Sequence, residues 1–496
     1  MSAQAALAAR LREVVTLEGI AGLLSWDREV MMPAGAAGTR AAQAALLAGL
    51  AHERRADPAL GDLIAMAQAE PPEGPDAQAL LRAAMRLHAR AARVPRRLAE
   101  ALAETTSRAQ GVWAAARAAD DPAPFLPLLA EVVALTREEG QALAEGQGID
   151  AYDALIDGYE PEARAAGIAA LFAELRPPLV ALRERVLGAG RTPPVLSGHF
   201  PAAAQMALAR EIAQRFGYDF ARGRLDLSVH PFTGGGGAHD IRITSRVDEA
   251  DPFNCLFSTI HELGHALYEQ AIDPALAGTP LGTGVSMGVH ESQSRLVENQ
   301  IGRGRAFAGW LWGEMRARFG DMGIADADAF HAALNRVAPG FIRTEADELH
   351  YNLHIMLRFD LERDLIAGRL DVADLEEAWR VRFAADFGTP PPRPALGFLQ
   401  DVHWSAGLFG YFPTYTLGNV HAAALWAALR ADLPDLDARL ASGDPRPAMG
   451  WLAERVQRHG GRMMPQELMA QATGGPMSAA PLVGYLEEKF AALYRL

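Results

Sequence analysis

Cysteine is nearly missing from this chain: Cys255 is the only one in 496 residues, which excludes an intrachain disulfide and fits a reducing, cytoplasmic setting. Lysine is equally scarce. Lys489 stands alone among 47 basic residues, the others being arginine, and no basic stripe of the kind a nucleic-acid partner requires runs through the sequence. Formal charge is −14 with a pI near 5.5, so no nucleic-acid partner is expected. There is also no N-terminal basic-plus-apolar leader and no uncharged run of about 18 apolar residues, so no membrane partner is expected and the chain reads as soluble. No fixed-period repeat or low-complexity linker occurs. Aromatic residues make up only 7%, while a 50% hydrophobic composition dominated by alanine and leucine favours packed helices over sheets.

The length could hold several domains, yet large helical proteins can be one unit. We expect residues 1–496 to form a single catalytic unit, with a helical N-terminal part to about residue 200 and a metal-binding part beyond it. Helix follows helix to about residue 190, with breaks expected at Pro33–Gly38, Pro71–Pro75, Asp120–Pro124 and Pro177–Pro178. Period-two alternation is confined to RLDLSVHPF and DIRITSRV, separated by the glycine run Gly234–Gly237, which predicts a small β-hairpin or ribbon.

Just after that ribbon comes HELGH, His261 to His265. On a helix the i, i+4 spacing puts both imidazoles on one face with the Glu262 carboxylate beside them, the pattern of a catalytic zinc site in which Glu262 serves as general base towards water. With 14 histidines in the chain, chance occurrence is the bland alternative. Ser258 or Thr259 can cap the helix, and Ile260, Leu263 and Leu267 form its core-facing side. Gly264 between the histidines suggests a close backbone approach, or simple tolerance.

A catalytic zinc usually has three protein ligands. A third histidine six residues on is excluded, because position 271 is alanine. The common alternative is a glutamate on a later helix, and Glu291, twenty-six residues past His265 and beyond a loop containing Gly278, Gly282, Gly284 and Gly288, is the candidate. Glu298 is a weaker one, with a solvated helix glutamate as its plain reading. In one common arrangement an aspartate four residues after the glutamate orients a histidine. Here that residue is Arg295, so the partner must come from elsewhere.

Taken together, SWDREVMMP (Ser25–Pro33), YDALIDGYEP (Tyr152–Pro161), HPF (His230–Phe232), DIRIT (Asp240–Thr244), HELGH, HESQSR (His290–Arg295), IRTEAD (Ile342–Asp347), GFLQDVHW (Gly397–Trp404) and GYFPTYTLGN (Gly410–Asn419) resemble the carboxypeptidase Taq family of zinc metallocarboxypeptidases over nearly the whole length. The resemblance implies a mainly α fold with a deep active-site groove and a small sheet beside the zinc helix. It also implies a homodimer, and removal of C-terminal residues from peptides with a free C-terminus and broad side-chain tolerance. Its ligands would be His261, His265 and Glu291, holding Zn2+ with Co2+ as a possible substitute, and Glu262 would be the catalytic base.

The remaining motif residues are read as chemistry. Arg343 offers a planar fork for a terminal carboxylate, or a structural ion pair with Asp347. Arg242 lines the groove or limits how far substrate extends, with a plain strand-face arginine as the equal alternative. His230, fixed in extended backbone by Pro231, reaches the cleft or sits satisfied in the core. His403 and Tyr415, with Tyr411 as second choice, are candidates to stabilise the oxyanion, against simple aromatic packing around Pro413. Two other functions stay open: an endo- or oligopeptidase with the same metal machinery, separable by comparing free and amidated C-termini, and a helical scaffold with an accidental HExxH, separable by metal analysis.

Overall fold

The computed structural model describes residues 3–496. Helices α1 (Ala3–Val30), α2 (Ala37–Ala56), α3 (Pro58–Ala69), α4 (Pro75–Arg93), α5 (Arg96–Ala119), α6 (Leu126–Ala144), α7 (Ala151–Ile156), α8 (Ala165–Gly188) and α9 (Ala202–Phe216) lead to three short strands. After the strands come α10 (Pro252–Ala271), α11 (Met287–Arg295), α12 (Arg305–Phe319), α13 (Ala327–Leu334), α14 (Glu348–Ile366), α15 (Leu375–Phe387) and α16 (Pro413–Asp432), then α17 (Leu436–Ala441), α18 (Arg446–Arg455), α19 (Pro465–Thr473) and α20 (Ala480–Tyr494). The fold is mainly helical with a small sheet beside the HELGH helix, as the sequence predicts.

Three of the four expected helix breaks lie between helices. The fourth does not: α8 runs through Pro177 and Pro178. Each proline removes a helical hydrogen bond and crowds the preceding turn. The helix continues because Leu171 and Leu175 before the pair and Leu179 and Leu182 after it bury into one core. The same helix is long and apolar enough by mean hydropathy to cross a membrane, although Glu174 and Arg176 interrupt its apolar run. Its larger apolar residues, Ile168, Leu171, Phe172, Leu175, Leu179, Leu182 and Val186, are buried inside the protein, while Ala166, Ala170, Ala173 and Ala181 are exposed.

The strands are β1 (Leu225–Leu227), β2 (Thr233–Gly237) and β3 (Asp240–Ser245), in the order β1-β3-β2. The ribbon differs from the one expected: the glycine run is itself a strand, antiparallel to β3, while β1 pairs with β3 in parallel. Glycine is a poor strand residue. Here it is required, because a Cβ on Gly22 of α1 would lie 2.5 Å from the Gly235 carbonyl oxygen, and one on Gly235 would strike the Asp240 carbonyl. Trp26 of α1 completes the contact, lying under both Arg224 and Arg242 with their guanidinium carbons 4.9 and 4.2 Å from its ring centre.

Two large hydrophobic clusters meet along α16, whose Leu417, Val420 and Ala423 belong to one and whose Ala422, Leu425 and Leu429 belong to the other. One cluster draws on both residues 109–186 and 332–494, so it crosses the division near residue 200. HELGH and the Arg343, His403 and Tyr415 segments approach each other from opposite sides of this boundary.

Candidate metal centre and active site

The HELGH helix starts earlier than its sequence suggests. Asp251 caps α10 by accepting from the Phe253 N–H, and Pro252 holds the first position. Ser258 and Thr259 lie inside the helix, where Thr259 returns its hydroxyl to the Cys255 carbonyl. Ile260, Leu263 and Leu267 face the core, which turns His261 and His265 towards α11.

Gly264 is where α11 crosses. A Cβ there would fall 2.5 Å from Ser294 Cα and 2.6 Å from the Gln293 carbonyl oxygen, so the close-approach reading holds. On the far side a Cβ at Gly418 of α16 would meet Glu291 Cβ at 2.6 Å. Clamped between two glycine-bearing helices, Glu291 brings Oε2 to 3.4 Å from His265 Nε2 and 3.8 Å from His261 Nε2. One donor atom from each of His261, His265 and Glu291 lies within 4.8 Å of the others.

The outer nitrogens of both imidazoles are held. His261 Nδ1 lies 3.0 Å from Glu298 Oε2; a carboxylate only accepts there, so Nδ1 carries the proton and Nε2 keeps its lone pair. For His265 the chain is longer. His290 Nε2 is 2.9 Å from Glu269 Oε1 and must donate, which leaves His290 Nδ1 to accept from His265 Nδ1 at 2.6 Å and frees His265 Nε2. Burial lowers the His265 pKa to about 4. Burial raises Glu291, but Arg295 at 2.6 Å and the two histidines outweigh it and hold the carboxylate well below its usual range. Burial likewise raises Glu262, whose Oε2 lies 2.8 Å from the Thr233 hydroxyl of β2. The Thr233 oxygen is also 2.8 Å from the Glu262 carbonyl oxygen.

Facing these groups is an aromatic wall. Tyr415 places its hydroxyl 3.2 Å from His403 Nε2, and Tyr411 and Tyr415 pack with centroids 5.4 Å apart. Burial raises both phenols, Tyr411 to about 12, and the Glu291 charge adds to the rise of each. Burial lowers His403 to about 3, so its ring is neutral. Arg343 donates through Nε and Nη2 to Asp401 Oδ1 at 3.0 and 2.8 Å and through Nη1 to Tyr351. Its ion-pair partner is therefore Asp401; Asp347 caps α14 and contacts His350 instead. Of the five N–H groups of a guanidinium, these contacts leave two.

The profile of the carboxypeptidase Taq (M32) metallopeptidase family matches residues 6–490. The chain belongs to that family. Thermostable carboxypeptidase 1 of Thermus thermophilus is 42% identical across 97% of both chains. The crystal structure of an M32 carboxypeptidase from Deinococcus radiodurans superimposes with a TM-score of 0.96 at 40% identity, covering 100% of each chain. A Pyrococcus furiosus carboxypeptidase structure gives 0.95 at 34% identity over 99% of each.

Membership of a metallopeptidase family implies a metal ion, and the donor set of this M32 chain fits one. Two imidazole lone pairs and a carboxylate oxygen converge, the carboxylate oxygen 3.4 and 3.8 Å from the two nitrogens, against the roughly 3.3 Å that tetrahedral ligands at 2.0–2.1 Å would show. The other motif residues are disposed differently. Arg242 stands on β3, held by Asp240 through two hydrogen bonds and stacked over Trp26. His230 is exposed in the bend before β2, three residues from Thr233, and is not a core histidine.

Glu298 is neither a ligand nor a solvated glutamate. It lies in the wider π-turn that continues α11 over Leu296–Gly302, where it serves as the part-buried partner of His261. Sequence reasoning passed over Glu269, His290, Asp401 and Thr233. Glu269 was within reach, lying four residues after His265 on the same helix face. His290 and Asp401 sit inside quoted motifs, but nothing in the sequence marks Thr233.

Proposed function

We propose that this M32 chain is a zinc-dependent carboxypeptidase of broad specificity that hydrolyses the C-terminal peptide bond of peptides. The observation that carries the reading is the convergence of the His261, His265 and Glu291 donor atoms, with both Nε2 lone pairs oriented and Glu262 adjacent in sequence. A zinc ion held by these three residues would supply Lewis-acid polarisation of the scissile carbonyl and a lowered pKa for water.

Glu262 takes a proton from the attacking water and returns it to the leaving amine. Its raised pKa suits both halves of that exchange, and the Thr233 hydroxyl steadies Oε2. Tyr415, paired with neutral His403, donates from its phenol to the oxygen that becomes negative, a contact worth about 3 kcal/mol in such sites. Tyr411 lies beside it. The two N–H groups of Arg343 left by Asp401 and Tyr351 meet the terminal carboxylate, which distinguishes an exopeptidase from an endopeptidase. Support for C-terminal trimming comes from the carboxypeptidase names of relatives that share nearly the full length.

Mass spectrometry of one peptide with free and with amidated C-terminus, before and after chelation, tests the reading. Stepwise shortening of the free peptide alone, abolished by chelator, is expected; internal cleavage would instead mean an endopeptidase. Glu262→Gln should retain the metal while turnover drops at least a hundredfold. Undiminished turnover would remove Glu262 as base. The proposal extends to a homodimer in a reducing compartment, where buried Cys255 stays a thiol; light scattering at twice 53.2 kDa would be the signature.

A further inference from the structure

A cleft of about 580 Å³ is lined by α2, α4, α5, α6 and the loop leading into α11, a size that accommodates a small ligand or a few peptide residues. Its wall carries Arg55, Arg82, Arg86 and Arg90 against a single carboxylate, Glu139. In a chain of formal charge −14 this local excess of positive charge is anomalous.

Arg82, Arg86 and Arg90 are four residues apart on α4 and form one row. The row is only partly neutralised from behind. Arg86 and Arg90 share Asp157, at 3.0 and 3.5 Å, and Arg55 has Glu18 at 3.4 Å. Arg82 is exposed; its guanidinium donates to the Arg462 carbonyl at 2.8 Å and has no carboxylate partner among the described residues. Burial pushes Glu139 up towards its neutral form, with Arg90 opposing.

The wall of the cleft touches the surroundings of the metal centre at two places. Gly284 lines it, and a Cβ there would fall 2.6 Å from Cδ2 of His290, the ring that holds His265. Pro161 also lines it, two residues from Tyr159, whose ring meets Tyr411 edge-on with centroids 5.0 Å apart.

We propose that this cleft is a subsite for acidic side chains of the peptide substrate, upstream of the bond that is cut, with Arg82 as the arginine available to pair with them. That the occupant is a peptide rests on the carboxypeptidase reading above; the preference for a carboxylate rests on the arginine row alone.

The test compares peptides with identical C-terminal residues and either Asp and Glu or Asn and Gln further upstream, at low ionic strength. The acidic peptide should show a kcat/KM about tenfold higher, as expected of one good charge-assisted pair. The gain should lie in KM, because a contact made equally in ground and transition states does not raise kcat, and added salt should shrink it. Arg82→Gln, at an exposed helix position, should bring the ratio close to one. Calorimetry with the amidated forms of both peptides reads the same preference without turnover. A wild-type ratio near one in both measurements, or a ratio that survives Arg82→Gln, overturns the subsite. If neither free peptide is shortened while calorimetry keeps the acidic preference and loses it in Arg82→Gln, the carboxypeptidase reading fails and the subsite stands.

Discussion

Two glutamates outside the ligand set, part-buried Glu298 and buried Glu362, carry much of the site's geometry. Glu298 accepts from His261 Nδ1 at 3.0 Å and is flanked by Arg295 and Arg303 at 3.4 and 3.2 Å. Burial opposes its charge, but His261 and the two arginines outweigh that and hold its pKa near 2. Glu298→Gln keeps the shape and removes the charge that fixes the His261 tautomer. Metal affinity measured by competition with a chelator is expected to fall roughly 10–100-fold; wild-type retention would show that the carboxylate does not tune the ligand. Glu362 anchors the aromatic wall, accepting from Tyr152 Oη, Trp404 Nε1 and the Gly410 N–H at 2.7, 2.9 and 3.0 Å. Burial, opposed by these donors, raises it from 4.5 to about 7. The native state therefore keeps a proton that the unfolded chain releases near pH 4.5. The stability linked to that proton is complete below pH 4.5, declines as pH rises to about 7, and amounts to about 3 kcal/mol at 1.36 kcal/mol per pKa unit. Urea unfolding between pH 5 and 8 should show this decline in the wild type. In Glu362→Gln the decline should shrink by about half, since buried Glu160, also raised to about 7, still contributes the rest, and overall stability should be lower because the amide cannot accept from all three donors.

At the level of elements, the site is a crossing of α10, α11 and α16 made possible where side chains are missing. Gly418→Ala would put a methyl 2.6 Å from Glu291 Cβ, with α11 held on its other face by Gly264. Overpacking of this kind costs about 1–3 kcal/mol. We expect a lower Tm together with weaker metal retention, since any relief moves Glu291 away from the histidines; loss of stability with metal affinity intact would mean that α16 yields instead. How much of this crossing can be read from sequence follows from its physics. His261, Glu262 and His265 are legible because helix periodicity alone brings them together, and Glu291 because a glycine-rich connection returns the chain. The partners of those ligands are fixed by tertiary contact, so Glu298 reads as an ordinary helix glutamate and Thr233 carries no signal. The same reason hides the glycine strand β2, where proximity of α1 overrides strand propensity, and the passage of α8 through Pro177 and Pro178, where leucines on both sides outweigh two prolines.

Across the whole molecule, hydrophobic burial is uneven. The α10, α11 and α16 crossing sits where two large clusters meet, whereas the N-terminal helices share a small cluster of Leu7, Leu11, Leu60, Ile64, Ala67 and Ala84. In α2 only Ala51 is buried. Resistance to local opening scales with apolar contact, so α2 and α3 should exchange their amide protons through a partial opening well below the global unfolding free energy, while α10 and α16 should require nearly complete unfolding. The C-terminal end of α1 should behave differently from α2, because Trp26 is held by Arg224 and Arg242 and Gly22 rests on Gly235. Hydrogen exchange read by mass spectrometry would then rank α2 and α3 as fastest, the end of α1 as intermediate, and α10 with α16 as slowest. Since α2 and α4 form one wall of the arginine-lined cleft, such an opening would widen peptide access without disturbing the metal ligands. Equal protection of α2 and α10 would remove that route and leave a rigid N-terminal wall, through which substrate could enter only along the existing cleft.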